Sequence, residues 1–441
     1  MTRAKTWGLQ PATWVVLAGV SAALHVGKLS PAVPVLREAL GVTLLQAGFL
    51  LSTVQLAGMS LGLLIGLLVD GLGLRRSLLW GLSILACASM LGAVARDASD
   101  LLWLRGIEGL GFLLVAMPAP GLIRRLVQPE RLSITLGLWG TYMPSGAALA
   151  LLCGPALMAW AGWQGWWVSL GALSGVMALV VARVVPADDL AQAASKPLPD
   201  SGLKPQSPPV NKPPLLPILK QRLHRTLRTP GPWWVALAFT CYSSQWLSVV
   251  GFLPTMVAQA GFAAGTGLIS GVAACTALVA GANGLGNVAS GRLLARAWPA
   301  ARLLRIGFVS MTAGAVLAFA PWSLGQGAVV ESLSWCLRLS GVLVFSMVGG
   351  LIPGTLFWLA VRLAPDDNTV STTVGWMQQL SAAGQFAGPP LVAWVASRHG
   401  DWGLTWLVTG AASALGLVLA WRIQTLLKLV PGIHAQHILK P

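Results

Sequence analysis

Runs of about twenty or more apolar residues, each long enough to cross a hydrocarbon layer about 30 Å thick as a helix, follow one another along almost the whole of this 441-residue chain. We read twelve, over 12–36, 44–69, 77–95, 101–123, 132–160, 165–185, 233–259, 266–290, 303–320, 333–360, 370–396 and 403–423. In lipid no water takes up backbone hydrogen bonds, so each run has to close its own as a helix. The expected fold class is an all-α membrane protein of twelve transmembrane helices. Composition agrees, since 55% of residues are hydrophobic and 10% charged, outside the usual range of soluble domains. Gly58, Gly62 and Gly66 stand four apart in the second run, a ladder of small residues that lets helix backbones approach closely.

Cations orient the bundle, because loops rich in Lys and Arg stay on the cytoplasmic side. With both termini inside, 23 of the 29 Lys and Arg fall on cytoplasmic segments, three on outer loops (Arg37, Arg96, Arg398) and three within spans (Lys28, Arg105, Arg338). A net charge of +16 spread over loop ends beside membrane spans fits anionic lipid and topology, not nucleic acid. The expected location is the cell inner membrane. The opening "MTRAKTWGLQPATW" has two basic residues ahead of an apolar stretch. That stretch is too long for a secretion signal and lacks a small-residue cleavage site, so it reads as an uncleaved first helix.

Residues 186–230, with "SKPLPDSGLKPQSPPVNKPPLLP" and seven cations, are too polar and too interrupted by proline to fold alone or to span. They divide a first bundle (1–185) from a second (231–441). The halves are related internally. "LRGIEGLGFLLVAMPAPG" and "LRLSGVLVFSMVGGLIPG" match at an offset of 233, with Arg105 over Arg338 and Pro120-Gly121 over Pro353-Gly354, and "GPALMAW" from 154 matches "GPPLVAW" from 388. The chain reads as a duplicated six-helix unit. All five cysteines (Cys87, Cys153, Cys241, Cys275, Cys336) fall in spans without paired metal spacing, and are expected to serve packing.

"GLLVDGLGLRR", from Gly66 to Arg76, resembles the loop signature of the major facilitator superfamily, G-x-L-x-D-R-x-G-R-R/K. Gly66, Leu68, Asp70, Gly73 and Arg75 match, while Gly71 and Leu74 stand where basic residues are usual. "RGIEGLG" from 105 is similar to the family's fourth-helix motif R-x-x-Q-G-x-G, with Glu108 for glutamine. The resemblance implies two pseudo-symmetric six-helix bundles, with helices one, four, seven and ten lining a central cavity. It also implies a conformational switch at Gly66, Asp70, Gly73, Arg75 and Arg76. An Asp at one helix end can accept from the free amides opening a neighbouring helix, so Asp70 reads as a clasp; the alternative is a surface ion pair with Arg75. The second-half counterpart has Ser290 where the acid would be.

An ionisable side chain within the bilayer costs about 2.5 to 3.5 kcal/mol on insertion scales, so it faces a cavity or a partner. Five stand in spans: His25 and Lys28 in the first, Arg105 and Glu108 in the fourth, Arg338 in the tenth. Matching positions set Arg105 and Arg338 facing each other across the pseudo-twofold axis, and with Lys28 they make a positive chamber suited to an oxyanion. Glu108, three residues from Arg105, is the proton-coupling candidate: an arriving anion that draws Arg105 away leaves Glu108 to take up a proton. The alternatives are a Lys28 that reaches the outer interface along its methylenes, arginines that meet headgroups or Asp100 and Glu331, a packed His25, and a static Arg105–Glu108 pair. Tyr142, Gln245, Asn283, Gln378 and Gln379 complete the candidate binding set, beside the corresponding aromatics Trp139 and Trp376. Trp166-Trp167 and Trp233-Trp234 read as interface markers.

Other motifs fail on context. "GLGNVA" from 284 lies in a span with no preceding strand, and "HAQH" from 434 lacks a third metal ligand. No cofactor is implied. The absence of a Walker loop turns the energy source away from ATP, and the lack of clustered nucleophiles argues against an enzyme. The first expectation is a monomeric, proton-coupled importer of a small organic or inorganic anion, with "GTYMPSG" from 140 and the first-helix Lys similar to porters of the cyanate, nitrate or carboxylate type. The second is an exporter of drugs or metabolites. Of the family's antiporter signature G-P-x-x-G-G, "GPALMA" keeps only Gly154-Pro155. A non-transporting receptor is the third.

Overall fold

The computed structural model describes residues 10–128, 135, 138–187, 215–259, 271–322, 328–366 and 369–429, with side chains described at all of these except 66–72, 124, 215–219, 258–259, 328–332, 370–371 and 429. The described residues are helical, with no strand among them. Ten stretches are long and apolar enough to cross a membrane. The count of twelve passes follows from two particulars.

The first is α8 (Tyr142–Val184), 43 residues with Gly162 at φ +69 inside it. That left-handed angle suits glycine and turns the chain back. Ala147 and Ala150, before Gly162, face Gly27, while Ser174, after it, meets His25, so both arms of α8 lie along the same stretch of the first helix. The second is α15 (Val370–His399), thirty residues long but carrying Gln378, Gln379 and Gln385.

The first pass is broken. α1 (Pro11–Gly27) and α2 (Leu29–Leu40) meet at Lys28. Pro31 and Pro34 have no N–H to offer the carbonyls of Gly27 and Ser30, so the helical ladder is interrupted there. α3 (Leu44–Thr53) opens with a capping box between Thr43 and Gln46 and continues into α4 (Leu56–Leu72). Gly73, at φ +93, turns the chain into α5 (Leu74–Gly92). Asp97 caps α6 (Ala98–Ala116), and a break before Pro120 starts α7 (Ala119–Leu126).

Within the segment expected to be irregular, residues 215–228 form a helix, α9 (Leu215–Arg228). The prolines stop at Pro217, and Leu216, Leu219, Leu223 and Leu227 then recur every three or four residues, a one-sided apolar spacing that favours a helix. The second half runs α10 (Pro230–Gln259), α11 (Gly271–Ala295), α12 (Ala300–Phe319), α13 (Ala328–Gly349), α14 (Leu351–Arg362), α15 and α16 (Thr405–Leu429).

Small residues set the packing. A Cβ on Gly27 would stand 3.0 Å from both Ala147 Cα and Ala150 Cβ, which brings α1 hard against α8; Gly81 and Gly111 do the same between α5 and α6, and Gly314 and Gly341 between α12 and α13. Lipid tails are as apolar as leucine, so close van der Waals contact of this kind holds such helices together. The halves meet where α15 lies along α3 and α4, α11 along α8, and α2 against α10. Gly48 faces Pro390, Gly58 faces Ala382 and Gly251 faces Leu51. Polar contacts also cross this seam: Gln55 Nε2 donates to Gln385 Oε1 at 3.0 Å, and the Leu63 amide donates to Gln379 Oε1 at 3.1 Å. At the opposite end of the bundle, α7 packs on α1, α5 and α6, and α14 on α10 to α13 and α15.

Candidate functional site

The break in the first pass places Lys28 against α6, one turn of which carries Arg105 and Glu108 on the same face. Both Glu108 oxygens are used. Oε1 accepts from Lys28 Nζ and lies 3.6 Å from His25 Nδ1, while Oε2 accepts from Arg105 Nη1 at 2.7 Å. None of the four side chains is more than 1% exposed. A buried carboxylate facing one cation leaves its second oxygen open; here each oxygen has a cation of its own, which is what makes burial of three charges tolerable.

The surroundings satisfy the rest. Lys28 Nζ also donates to Ser89 Oγ at 3.0 Å, and Ser89 in turn to the Trp167 carbonyl at 2.8 Å. The Lys28 ammonium sits 4.6 Å from the Trp167 ring centroid, a favourable cation–π placement. Arg105 donates to the carbonyls of His25, at 2.6 Å, and Leu50, at 3.2 Å, and Trp166 Nε1 donates to the Lys28 carbonyl at 3.2 Å. Backbone carbonyls on both sides of the break at Lys28 and on α3 thus serve as acceptors around the cluster. His25 Nε2 pairs with Ser174 Oγ at 2.8 Å, and Ser174 Oγ lies 3.3 Å from Ser21 Oγ. Arg105 Nη2 and His25 Nδ1 have no hydrogen-bond partner in the structure.

Arg338 does not join this cluster. It is half-buried on α13 and donates to the carbonyls of Ala318 at 2.6 Å and Trp322 at 3.0 Å, with its guanidinium 4.6 Å from the Trp322 ring. It caps the C-terminal end of α12, where carbonyls are free and the helix dipole favours a cation. The expected face-to-face arginines are therefore absent, for a reason visible in the repeat: at the offset of 233, Gly341 stands where Glu108 stands in the first half. Among the described residues no carboxylate pairs with Arg338; the side chain of Glu331 lies outside them.

The remaining candidates divide. Tyr142 stacks on Trp139, with centroids 4.3 Å apart, and on Phe112 at 6.3 Å. Gln245 is turned into its own half, its amide donating to the Cys241 carbonyl and accepting from Ser413. Asn283 belongs to a buried net with the Tyr242 hydroxyl, Asn287 and the Ser346 carbonyl. Gln379 binds the inter-half seam and Gln378 lies half-buried beside it. In the loop motif, Gly73 takes the turn before α5, Arg75 donates to the Ala182 carbonyl at the end of α8 at 2.5 Å, and Arg76 is exposed; Gly66 stands within α4, and the side chain of Asp70 lies outside the described residues. Residues 434–437 also lie outside them.

Two readings of residue type are corrected. Trp166 and Trp167 are 1% exposed and belong to the cluster, not to the membrane interface. Cys87, Cys153 and Cys336 are exposed on helix surfaces, so of the five only Cys241 is buried in packing. Ser89 and Ser174 were not singled out from sequence, although one signal existed. Trp163, Trp167 and Ser174 match Trp402, Trp406 and Ser413 at a constant offset of 239.

Comparison with known proteins decides the family, since the model of the Major Facilitator Superfamily matches residues 15–384. The chain belongs to that superfamily. Its long apolar helices are those of this membrane-embedded fold. Three relatives are similar over parts of their length. The puromycin resistance protein pur8 of Streptomyces alboniger is 28% identical over 183 residues, 41% of this chain and 36% of that protein. The methylenomycin A resistance protein of Streptomyces coelicolor is 29% identical over 147 residues, 33% of this chain and 31% of that protein. The uncharacterized MFS-type transporter Rv1250 of Mycobacterium tuberculosis is 29% identical over 126 residues, 28% of this chain and 22% of that protein. The chain thus spans about a third or less of the curated relatives it matches.

Proposed function

We propose that this transporter exports small lipophilic aromatic compounds in exchange for protons, with Glu108 as the coupling acid. One observation carries the reading: both buried cations of the first half are committed to Glu108, and Arg338 is committed elsewhere. Among the described residues, that leaves no converging cations for the anionic cargo expected from the sequence. The stacked Trp139, Tyr142 and Phe112 support an aromatic cargo instead, since such rings favour aromatic partners. The two relatives named for antibiotic resistance support the same direction of transport.

The coupling follows from the geometry. Protonating Glu108 removes the charge that pins the broken joint of the first pass to α6, and Lys28 and Arg105 are released together. Separating a buried ion pair costs about 3 to 5 kcal/mol. A proton crossing 100 mV supplies about 2.3 kcal/mol, and each unit of pH about 1.4 kcal/mol more, so one proton is of the right size to drive the change. The bundles 1–185 and 231–441 rock about the seam between them. With both termini cytoplasmic in the inner membrane, the seam formed by α2, α3, α10 and α15 lies toward the outer side. The protein works as a monomer.

The test is transport in proteoliposomes under an imposed pH gradient, with puromycin, ethidium and a panel of small organic anions as probes. The reading expects pH-driven movement of puromycin or ethidium that Glu108→Gln abolishes. Uptake of an organic anion in preference to both cationic aromatic probes overturns it in favour of anion import.

A further inference from the structure

We propose that His25 is a proton carrier, passing protons between Glu108 and the hydroxyl pair Ser174 and Ser21. This deepens the reading of Glu108 as coupling acid and rests on it.

The first observation is geometric. Glu108 and the cations around it are sealed off, so a proton reaching or leaving the carboxylate has to travel on side chains. The imidazole of His25 bridges the gap. Its Nδ1 points at Glu108 Oε1 across 3.6 Å and holds no hydrogen bond; its Nε2 is bonded to Ser174 Oγ at 2.8 Å. Ser174 Oγ is 3.3 Å from Ser21 Oγ, and Ser21 stands four residues, about one turn, nearer the start of α1 than His25. All three side chains are at most 4% exposed. Lys28 and Arg105, the other charges facing His25, do not enter this line. Lys28 turns to Glu108, Ser89 and the Trp167 ring, and Arg105 reaches His25 only at its carbonyl.

Imidazole is suited to such a place because it can accept a proton at one nitrogen while giving one up from the other. The Glu108 carboxyl O–H gives its proton to His25 Nδ1, and the Nε2–H proton goes to Ser174 Oγ. Ser174 passes its own hydroxyl proton to Ser21, and Ser21 gives up its own to the solvent that reaches α1 when the bundles rock. One proton enters the chain and one leaves, and the ring ends in its other neutral tautomer. Passage in the reverse order restores it.

The second observation is independent of these distances. His25 corresponds to Gln245 at an offset of 220 that also relates Pro34 to Pro254, and Ser174 corresponds to Ser413 at an offset of 239. The second half keeps the same bond: Ser413 Oγ donates to Gln245 Oε1 at 3.0 Å. An amide is therefore sufficient to brace the first and sixth helices of a half against each other. The half that has Glu108 uses a side chain that braces and also carries protons; the half with Gly341 in that position uses one that only braces.

That substitution is also the experiment. In proteoliposomes, ethidium transport driven by a pH gradient is compared with ethidium counterflow at equal pH, for the wild type, His25→Gln, Ser174→Ala and Glu108→Gln. The relay expects the ratio of pH-driven to counterflow rate to fall about tenfold or more in His25→Gln and in Ser174→Ala, with the slowing by heavy water seen in the wild type lost. A ratio within about twofold of the wild type in both variants, or an equal loss of both rates in both, overturns the relay and leaves His25 a brace. Should His25→Gln fail to fold, Ser174→Ala decides alone. If Glu108→Gln loses pH-driven transport while His25→Gln and Ser174→Ala keep it, only the relay falls. If Glu108→Gln keeps it, or the wild type shows none, the coupling reading falls as well.

Discussion

Arg338 holds the place in the second half that Arg105 holds in the first, yet Arg105 is 1% exposed against Glu108 while Arg338 caps α12 beside Trp322. One lost carboxylate separates them. Replacing Arg105 by Met should cost about 3 to 5 kcal/mol, because Glu108 loses one of its two cations inside a buried site. Replacing Arg338 by Met removes a helix-end cation and should cost about 0.3 to 1 kcal/mol. Thermal unfolding of the purified variants in detergent checks the contrast, and comparable losses would contradict it.

Lys28 and Glu108 should be strongly coupled. Glu108→Gln leaves two buried cations without a counter-charge, and Lys28→Met leaves Glu108 with Arg105 alone. The double variant should be less destabilised than the sum of the two by about 0.5 to 3 kcal/mol, the range for residues in direct contact. Additive losses in the same melts would mean the pair does not act as a unit.

Gly27 is needed for its lack of a side chain, since even a Cβ would stand 3.0 Å from Ala147 and Ala150. Gly27→Val should push α1 off α8 at a cost of about 1 to 3 kcal/mol and lengthen the His25–Ser174 contact. Size-exclusion chromatography and melting temperature read the first effect. Transport by a Gly27→Val protein of unchanged stability would show that the helices do not pack this closely.

Gln55 and Gln385 form a polar contact across the seam between the halves. Gln55→Leu alone leaves Gln385 Oε1 without its donor, while Gln385 Nε2 keeps Ser381, and should cost about 1 to 3 kcal/mol; Gln55→Leu with Gln385→Leu should recover most of it. The effect should appear as faster maleimide labelling of a cysteine placed on the seam at Ala382 in the single variant. Equal labelling in all three proteins would place the seam elsewhere.

The helical passes were legible because lipid imposes them locally. A run of apolar residues with no water nearby must be a helix whatever its neighbours do, and the expected runs lie within a few residues of the observed ones, as with 44–69 against Leu44–Leu72 and 370–396 against Val370–His399. The duplication was legible too, since Arg105 over Arg338 and the Pro-Gly pairs are matches of letters. The helix at Leu215–Arg228 was hidden behind the prolines that precede it.

The site was legible only as an inventory. Charge within a span signals a partner or a cavity but does not say which, and His25, Lys28, Arg105 and Glu108 were each visible as expensive groups. Which of them share one carboxylate depends on how α1, α6 and α8 lie against one another. That is set by the close contacts of Gly27 with Ala147 and Ala150 and by the double-back at Gly162, which bring to Lys28 partners on α6 and α8 that stand far from it along the chain. Desolvation made pairing obligatory from sequence alone; tertiary packing chose the partners, enclosing Arg105 with Glu108 and turning Arg338 out to the end of a helix.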